Sequence, residues 1–271
     1  MLMSEASPDV MNSPNESSAE DFPEDWYAYA GESHFWMRWR FEVLLQQLRS
    51  LRVDPAKSLR AFDIGCGHGV VQTQLAGATG WTTDGCELNR PSLDLNRNPR
   101  GTSFRYNIHD RRPSLEGAYD AVILFDVIEH IEEPVEFLRS AIWHLKPGGM
   151  VLVNVPALQS LFSRYDTEAG HFRRYDKHML RSQLEAAGLE PADLRYWGLS
   201  LVPVLWVRKQ VISRAGSAEE VMRLGFRPPS ASVNAAFEVL GKAERALFRT
   251  PPVGTSLMAA AFKPTEGATA R

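Results

Sequence analysis

The chain of 271 residues carries a formal net charge of −3 and is 44% apolar, enough to bury one sizeable core with an appended helical cap. It has no broad basic field, which argues against a main role in gripping duplex nucleic acid, whose phosphates demand clustered Lys and Arg; no nucleic-acid partner is expected. Cys66 and Cys86 are too few for a disulfide framework and read as small buried residues in a reducing cytosol rather than as a disulfide or metal pair, so no metal site is expected.

Residues 1–21 are rich in Ser, Asn, Glu and Pro and lack the apolar core of a secretory signal, which predicts a disordered tail. Residues 22–263 then read as one domain. Its first part, 22–52, predicts a helix: Trp26, Tyr27, Tyr29, Phe35, Trp36 and Trp39 cluster early, and Phe41, Leu44, Leu45 and Leu48 follow near helical spacing. Over 53–198 the chain alternates as a doubly wound parallel sheet requires. Strands fall near 59–64, 81–86, 102–107, 119–125, 149–155 and 192–197, and the clearest helices near 133–144 and 176–187. Pro134 suits the first turn of the earlier helix, and Pro147-Gly148-Gly149 supplies its stop.

Residues 199–252 show helical patches around 200–213 and 232–248, broken by Gly225, Pro228 and Pro229. A hairpin would normally join a sixth and a seventh strand, so a segment this long predicts an inserted helical cap. A seventh strand over 253–263 and a flexible polar tail at 264–271 close the chain. The longest apolar run, 198–206, is interrupted by Pro203 and falls short of the roughly 20 residues that cross a bilayer; a cytoplasmic protein, peripheral to a membrane at most, is expected. Arg208, Lys209 and Arg214 punctuate an otherwise apolar helix with Leu201, Val204, Leu205, Val207, Val211 and Ile212. That pattern reads either as the solvated face of a core helix or as a face that docks on a membrane. Oligomeric state leaves no mark in the sequence.

The densest signal is Phe62-Asp63-Ile64-Gly65-Cys66-Gly67-His68-Gly69, three alternate glycines after a short apolar strand and before a helix over 70–78. Glycine tolerates positive φ and leaves room for a ligand to lie against the main chain where a strand breaks into a helix. Strand, turn and helix make the nucleotide half of a Rossmann-like unit. The spacing is G-x-G-x-G rather than the dinucleotide G-x-G-x-x-G, so no pyrophosphate is expected. Glu87, at the end of the second strand and about 20 residues beyond the glycines, stands where a carboxylate holds a ribose diol.

Four stretches together resemble the class I S-adenosylmethionine-dependent methyltransferases, in particular the small bacterial enzymes related to ubiquinone-type O-methyltransferases. They are Asp63-Ile64-Gly65-Cys66-Gly67-His68-Gly69, Gly85-Cys86-Glu87, Phe125-Asp126-Val127-Ile128-Glu129-His130-Ile131 and Leu145-Lys146-Pro147-Gly148-Gly149. The resemblance implies an α/β fold with a Rossmann-like seven-stranded sheet, an N-terminal lid helix and the helical insertion between strands 6 and 7. It implies S-adenosyl-L-methionine as cofactor, with Asp63 at its amino group, the turn of Gly65, Cys66, Gly67 and Gly69 against the methionine portion and ribose, and Glu87 at the diol. The adenine is left to Asn107 with Ile108 or to Asp110, while Phe125 and Asp126 face the methionine portion. Glu32-Ser33-His34-Phe35-Trp36 is similar to the family's lid segment, which brings Trp36 to the substrate side.

For the acceptor, Gly170-His171-Phe172-Arg173-Arg174-Tyr175 is similar to a stretch that follows strand 5 in such relatives. His171 there would deprotonate a hydroxyl, with Arg173 or Arg174 clamping a carboxylate or phosphate and Tyr175 alongside. The arginines pair as readily with Asp166, Glu168 or Asp176. His130 and His34 are the other candidate bases, and His130 beside Glu129 also suits a hydrogen-bonded structural role. The reading is methyl transfer to a small-molecule, sugar or lipid-linked acceptor at oxygen. An RNA or protein methyltransferase and a catalytically silent cofactor-binding scaffold are the alternatives.

Overall fold

The computed structural model describes residues 34–226 and 229–265. The tail at 1–21, the start of the expected lid helix and the last six residues lie outside that range. In chain order the elements are α1 (Phe35–Ser50), β1 (Arg60–Ile64), α2 (Val70–Ala78), β2 (Thr82–Glu87), α3 (Arg90–Asp94), β3 (Ser103–Arg105) and β4 (Tyr119–Phe125). There follow α4 (Pro134–Trp143), β5 (Leu145–Pro156), α5 (Arg164–Glu168), α6 (Lys177–Ala186) and β6 (Glu190–Trp197). The insertion holds α7 (Val202–Ile212), α8 (Ala218–Phe226) and α9 (Ala231–Leu247), and β7 (Ser256–Phe262) ends the fold.

The seven strands form one sheet in the order β3-β2-β1-β4-β5-β7-β6. β1 to β5 pair in parallel, and β7 slots antiparallel between β5 and β6. The central strands are buried on both faces, as parallel strands covered by helices must be, and their side chains divide by the period of two. Phe62, Val122, Leu124, Val151 and Val153 meet Leu138 of α4 and Leu180 and Leu184 of α6. Ala61, Ala121, Ile123 and Leu152 meet Val43, Leu44 and Leu48 of α1 and Leu75 of α2. β1 and β4 are neighbours whose chains leave in opposite directions, so a crevice opens beyond their carboxyl ends, where open α/β sheets bind ligands.

Three local expectations change. β5 begins at Leu145 rather than near 149, because Tyr119 pairs with Leu145 and Ala121 with Met150. Pro147-Gly148-Gly149 therefore sits in a bulge of the strand, and α4 ends before it at Trp143. α3 and α5 were too short to show a period, yet each has its cap: Asn89 Oδ1 accepts from Ser92 N at 2.9 Å, and Ser163 with Asp166 forms a capping box.

The solvated-cation reading holds only in part, since Arg214 just beyond α7 is exposed while two cations on the helix turn to main-chain oxygens. Trp206, Val207 and Val211 are exposed, whereas Arg208 donates to Gly225 O at 2.7 Å and Lys209 to Ser160 O at 2.7 Å. The long cationic stems satisfy main-chain carbonyls of neighbouring segments and leave the apolar side outward. No helix among the described residues is long and apolar enough to cross a membrane.

The insertion is fastened at both ends of the site. α9 packs on α1 through Phe35 and Phe237, whose ring centroids are 4.7 Å apart, and Phe35 N donates to Asn234 Oδ1 at 2.9 Å. Gly241 has no side chain because a Cβ there would stand 2.8 Å from the Trp39 ring. Glu244 of α9 accepts from the amides of Gly198, Leu199 and Ser200 and from the Ser200 hydroxyl, tying the entry of α7 to the end of β6.

Candidate active site

The glycine turn leaves β1 with Gly65, Gly67 and Gly69 at φ of 73°, 52° and 89°. All three lie in the left-handed region that disfavours a Cβ. Their neighbourhoods differ. A Cβ on Gly65 would stand 2.8 Å from Val127 Cγ2, while one on Gly67 would meet nothing within 4 Å. Gly65 therefore serves the fold, and Gly67 presents bare main chain to the crevice. Gly65 N and Cys66 N both donate to Cys86 O, which bends the turn back over β2. Cys66 and Cys86 are free and buried, and burial raises both thiols well above their ordinary range, so neither is a nucleophile.

Asp63 is 2% exposed, and its Oδ2 is buried with no hydrogen-bond partner. Burial pushes its carboxyl up to about 7, against the opposing pull of Arg40 and with a further push from Glu87. An orphaned carboxylate oxygen at the end of β1 is unfavourable until a donor reaches it. Glu87 ends β2 with Oε1 accepting from Leu88 N at 2.7 Å and Asn89 N at 2.9 Å and Oε2 accepting from Gly67 N at 3.1 Å. Three main-chain amides thus aim the carboxylate at the glycine turn.

Beyond β3, Asn107 Oδ1 accepts from His109 N at 3.0 Å and starts a single turn over Ile108–Asp110. Ile108 is buried, Asn107 half-buried and Asp110 exposed. At the end of β4, Phe125 is buried and Asp126 holds a φ of 58°, uncommon for a residue with a side chain and typical of strained functional turns. Its side chain is fixed from two directions: Arg40 Nη1 donates to Oδ2 at 2.5 Å and Asn154 Nδ2 to Oδ1 at 2.8 Å. Trp197 Nε1 can only donate and takes Asn154 Oδ1 at 2.9 Å, which orients that amide. Burial raises the Asp126 carboxyl, and Arg40 and Asn154 oppose the rise.

Arg40 was not singled out from the sequence. It comes from α1, is buried, and lies 4.9 Å over the Trp36 ring and 5.0 Å over the Phe125 ring, with Nε lacking a partner. The available signal was a second arginine inside the aromatic run Trp36-Met37-Arg38-Trp39-Arg40-Phe41.

After β5 the chain folds back on the end of β4: Phe172 N donates to Glu129 O at 2.8 Å, and the His171 and His130 rings meet edge to face at 4.7 Å. The Glu129 carboxylate and both imidazoles converge to within 4.8 Å. Glu129 Oε2 is buried without a partner, and burial raises that carboxyl well above its usual range. Burial, with His171 beside it, pushes His130 down to about 4, which makes it a weak base.

Several expected roles are corrected. Arg174 is buried and spent internally, with Nε on Asp166 Oδ1 at 2.7 Å and Nη1 on Ala157 O at 3.3 Å, so it does not clamp an acceptor. Tyr175 is fully buried and its hydroxyl donates to Ile128 O at 3.2 Å, which makes it a strut between the loop and the end of β4. Arg173 donates to Glu132 O at 2.8 Å from a half-buried position. His34 caps α1, its Nδ1 accepting from Trp36 N at 3.2 Å, and burial lowers its pKa; it acts as a cap rather than a base. Trp36 is half-buried against Trp197, with ring centroids 5.4 Å apart.

The matches to known proteins converge on the same region. A family model described as a methyltransferase domain matches residues 36–194, from the start of α1 into β6, and stops before the insertion. A ubiquinone biosynthesis O-methyltransferase of Dinoroseobacter shibae is 30% identical over 158 residues, 52% of this chain and 63% of that protein. The chain thus spans less than two thirds of that relative's length. Another from Ruegeria sp. is 28% identical over 178 residues, 58% and 70% of the two chains. Among solved structures, a putative sarcosine dimethylglycine methyltransferase from Galdieria sulphuraria superposes with a TM-score of 0.56 at 16% identity, covering 83% of this chain and 85% of that one, a likeness of fold alone.

Proposed function

The chain belongs to the class I S-adenosylmethionine-dependent methyltransferase family, and on that premise we propose that it methylates an oxygen of a small, sugar or lipid-linked acceptor. The observation that carries the reading is the pairing of an orphaned, buried Asp63 oxygen with bare main chain at Gly67 and a carboxylate at Glu87 aimed across the same turn. These features suit a ligand with an ammonium group and a ribose. When bound, S-adenosylmethionine supplies a methyl carbon already activated by a sulfonium, so the protein's task is alignment and, for a hydroxyl, removal of a proton.

In this reading Asp63 accepts from the amino group, and Arg40, the buried cation next to it, faces the carboxylate of the same amino acid. Glu87 holds the ribose hydroxyls, while Asn107 and Ile108 border the adenine. Phe125 and Asp126 flank the methionine portion, and His171 takes the acceptor's proton. α1 serves as a lid through Trp36 and Arg40, and α7 to α9 cap the acceptor chamber. The relatives named as ubiquinone biosynthesis O-methyltransferases favour a lipid-linked acceptor among these classes. Calorimetric titration with S-adenosylmethionine and with its demethylated product tests the premise: both should bind, and a protein that binds neither is not a methyltransferase.

A further inference from the structure

Asp166 does more than its place in a five-residue helix requires. As a capping-box residue it needs only Ser163, whose N and Oγ reach Oδ2 at 2.8 and 3.0 Å. Such caps ordinarily sit in water. Asp166 is instead fully buried, and Oδ1 accepts from Arg174 Nε at 2.7 Å while facing His171 Nδ1 at 3.1 Å. Its own carbonyl accepts from His171 N at 2.8 Å, so the loop is closed on the imidazole from two sides. An ionised carboxylate only accepts hydrogen bonds; Nδ1 must therefore carry the hydrogen, and Nε2, on the opposite edge of the ring, is left with its lone pair.

The remaining charges around that ring come from three elements. Asp126 and the Glu129–His130 pair stand beyond the end of β4, Arg174 lies behind Asp166 on the return loop, and Asp166 is on α5. His171 and Arg174 together hold the Asp166 carboxyl down at about 2, so it stays ionised while an imidazole titrates.

We propose that Asp166 is a positioning residue for methyl transfer, fixing His171 as the Nδ1–H tautomer so that Nε2 receives the acceptor's proton; this rests on the oxygen-acceptor reading above. In the step the O–H bond breaks towards Nε2, the oxygen's electron pair forms the new O–C bond, and the pair of the broken S–C bond stays on sulfur as a neutral thioether. The imidazolium then returns its proton to water, with His171 restored.

The test uses the full chain with 15N-labelled histidine and long-range 1H–15N spectra, in which Nδ1–H and Nε2–H tautomers give different cross-peak patterns. The chain has seven histidines, and His171→Gln assigns the relevant signals. Wild type should show the Nδ1–H form. Asp166→Asn should lower the His171 midpoint by about one pH unit or more, since an adjacent carboxylate favours the imidazolium. Asp166→Glu should restore it in part, and Arg174→Gln should raise it. Should Asp166→Asn fail to fold, the last two variants decide. His144, bonded to Tyr106 and to Ser140 O, should not respond. An Nε2–H tautomer in wild type, or a His171 midpoint unmoved in the folded variants, overturns the proposal. Saturating S-adenosylmethionine should lower the His171 midpoint further through its positive sulfonium. No such response in a protein that calorimetry shows to bind it also overturns the proposal, whereas absence of binding removes the methyltransferase reading and leaves the tautomer result standing.

Discussion

Two alanine substitutions two residues apart should fail in different ways. Gly65 and Gly67 have φ of 73° and 52°, so each pays about 1–2 kcal/mol for a Cβ in the left-handed region. At Gly65 the new methyl also meets Val127 Cγ2 at 2.8 Å, an overlap of the kind that costs about 1–3 kcal/mol more in a packed setting. Gly65→Ala should therefore lose about 2–5 kcal/mol of folding stability, and Val127→Ala in the same chain should recover the overlap share. Gly67→Ala meets no protein atom within 4 Å and should lose only the backbone share. Its methyl projects into the space assigned to the cofactor, where the same overpacking scale weakens binding about 5- to 150-fold. Urea unfolding gives the first quantity and calorimetry with the demethylated product gives the second. Wild-type affinity in Gly67→Ala would refute the placement of the ligand over this turn, and equal stability of the two variants would refute the Val127 argument.

Glu87→Ala should weaken cofactor binding about 10- to 100-fold, the scale of charge-assisted bonds worth about 1.5–3 kcal/mol, while the chain stays folded because freeing a few loop amides costs less than the net stability of a domain; unchanged affinity removes the ribose role. Asp63 makes stability depend on pH. Its folded value of about 7 lies above the ordinary 3.8, so the folded state binds the extra proton between those values and stability falls as pH rises from about 4 to 7, by up to roughly 4 kcal/mol. His130 acts with the opposite sign, since its value of about 4 lies below 6.5 and stability rises with pH across that window. Asp63→Asn should therefore flatten the decline and gain most at pH 8; urea midpoints at pH 5 and 8 that change identically in both proteins contradict this. Trp206 is 57% exposed beside Val207 and Val211, the kind of face that would meet a membrane surface if the proposed lipid-linked acceptor is presented there. Trp206→Ser should reduce co-sedimentation with anionic vesicles several-fold, and equal sedimentation would leave that face without this role.

Much of the framework is legible along the chain because it rests on short-range rules. The nearly continuous apolar run at 119–125 and the helical spacing at 176–187 each report a local preference, and the strands and helices stand within a few residues of those positions. The glycine turn is legible for the same reason, since positive φ at 65, 67 and 69 is a property of the residues themselves. α3 and α5 are too short to show a period, and the bulge at Pro147-Gly148-Gly149 depends on how β5 registers against β4.

The sequence by itself therefore indicated the strands, the helices and the glycine turn, through local preferences that any isolated segment carries, and its four-stretch resemblance to a known family implied the cofactor. Only the tertiary structure decided which polar groups meet. Arg40 reaches Asp126 across 86 residues, and Glu244 caps an entry 44 to 46 residues away. Of the five cationic side chains that sequence placed on solvent or substrate, Arg173, Arg174, Arg208 and Lys209 bond to the protein's own oxygens, and Arg214 stays exposed. The physical reason is that a side chain's partner is set by the packing of whole elements against one another, and burial penalises a polar group left without one. Spacing along a chain fixes only the direction in which it leaves its own backbone.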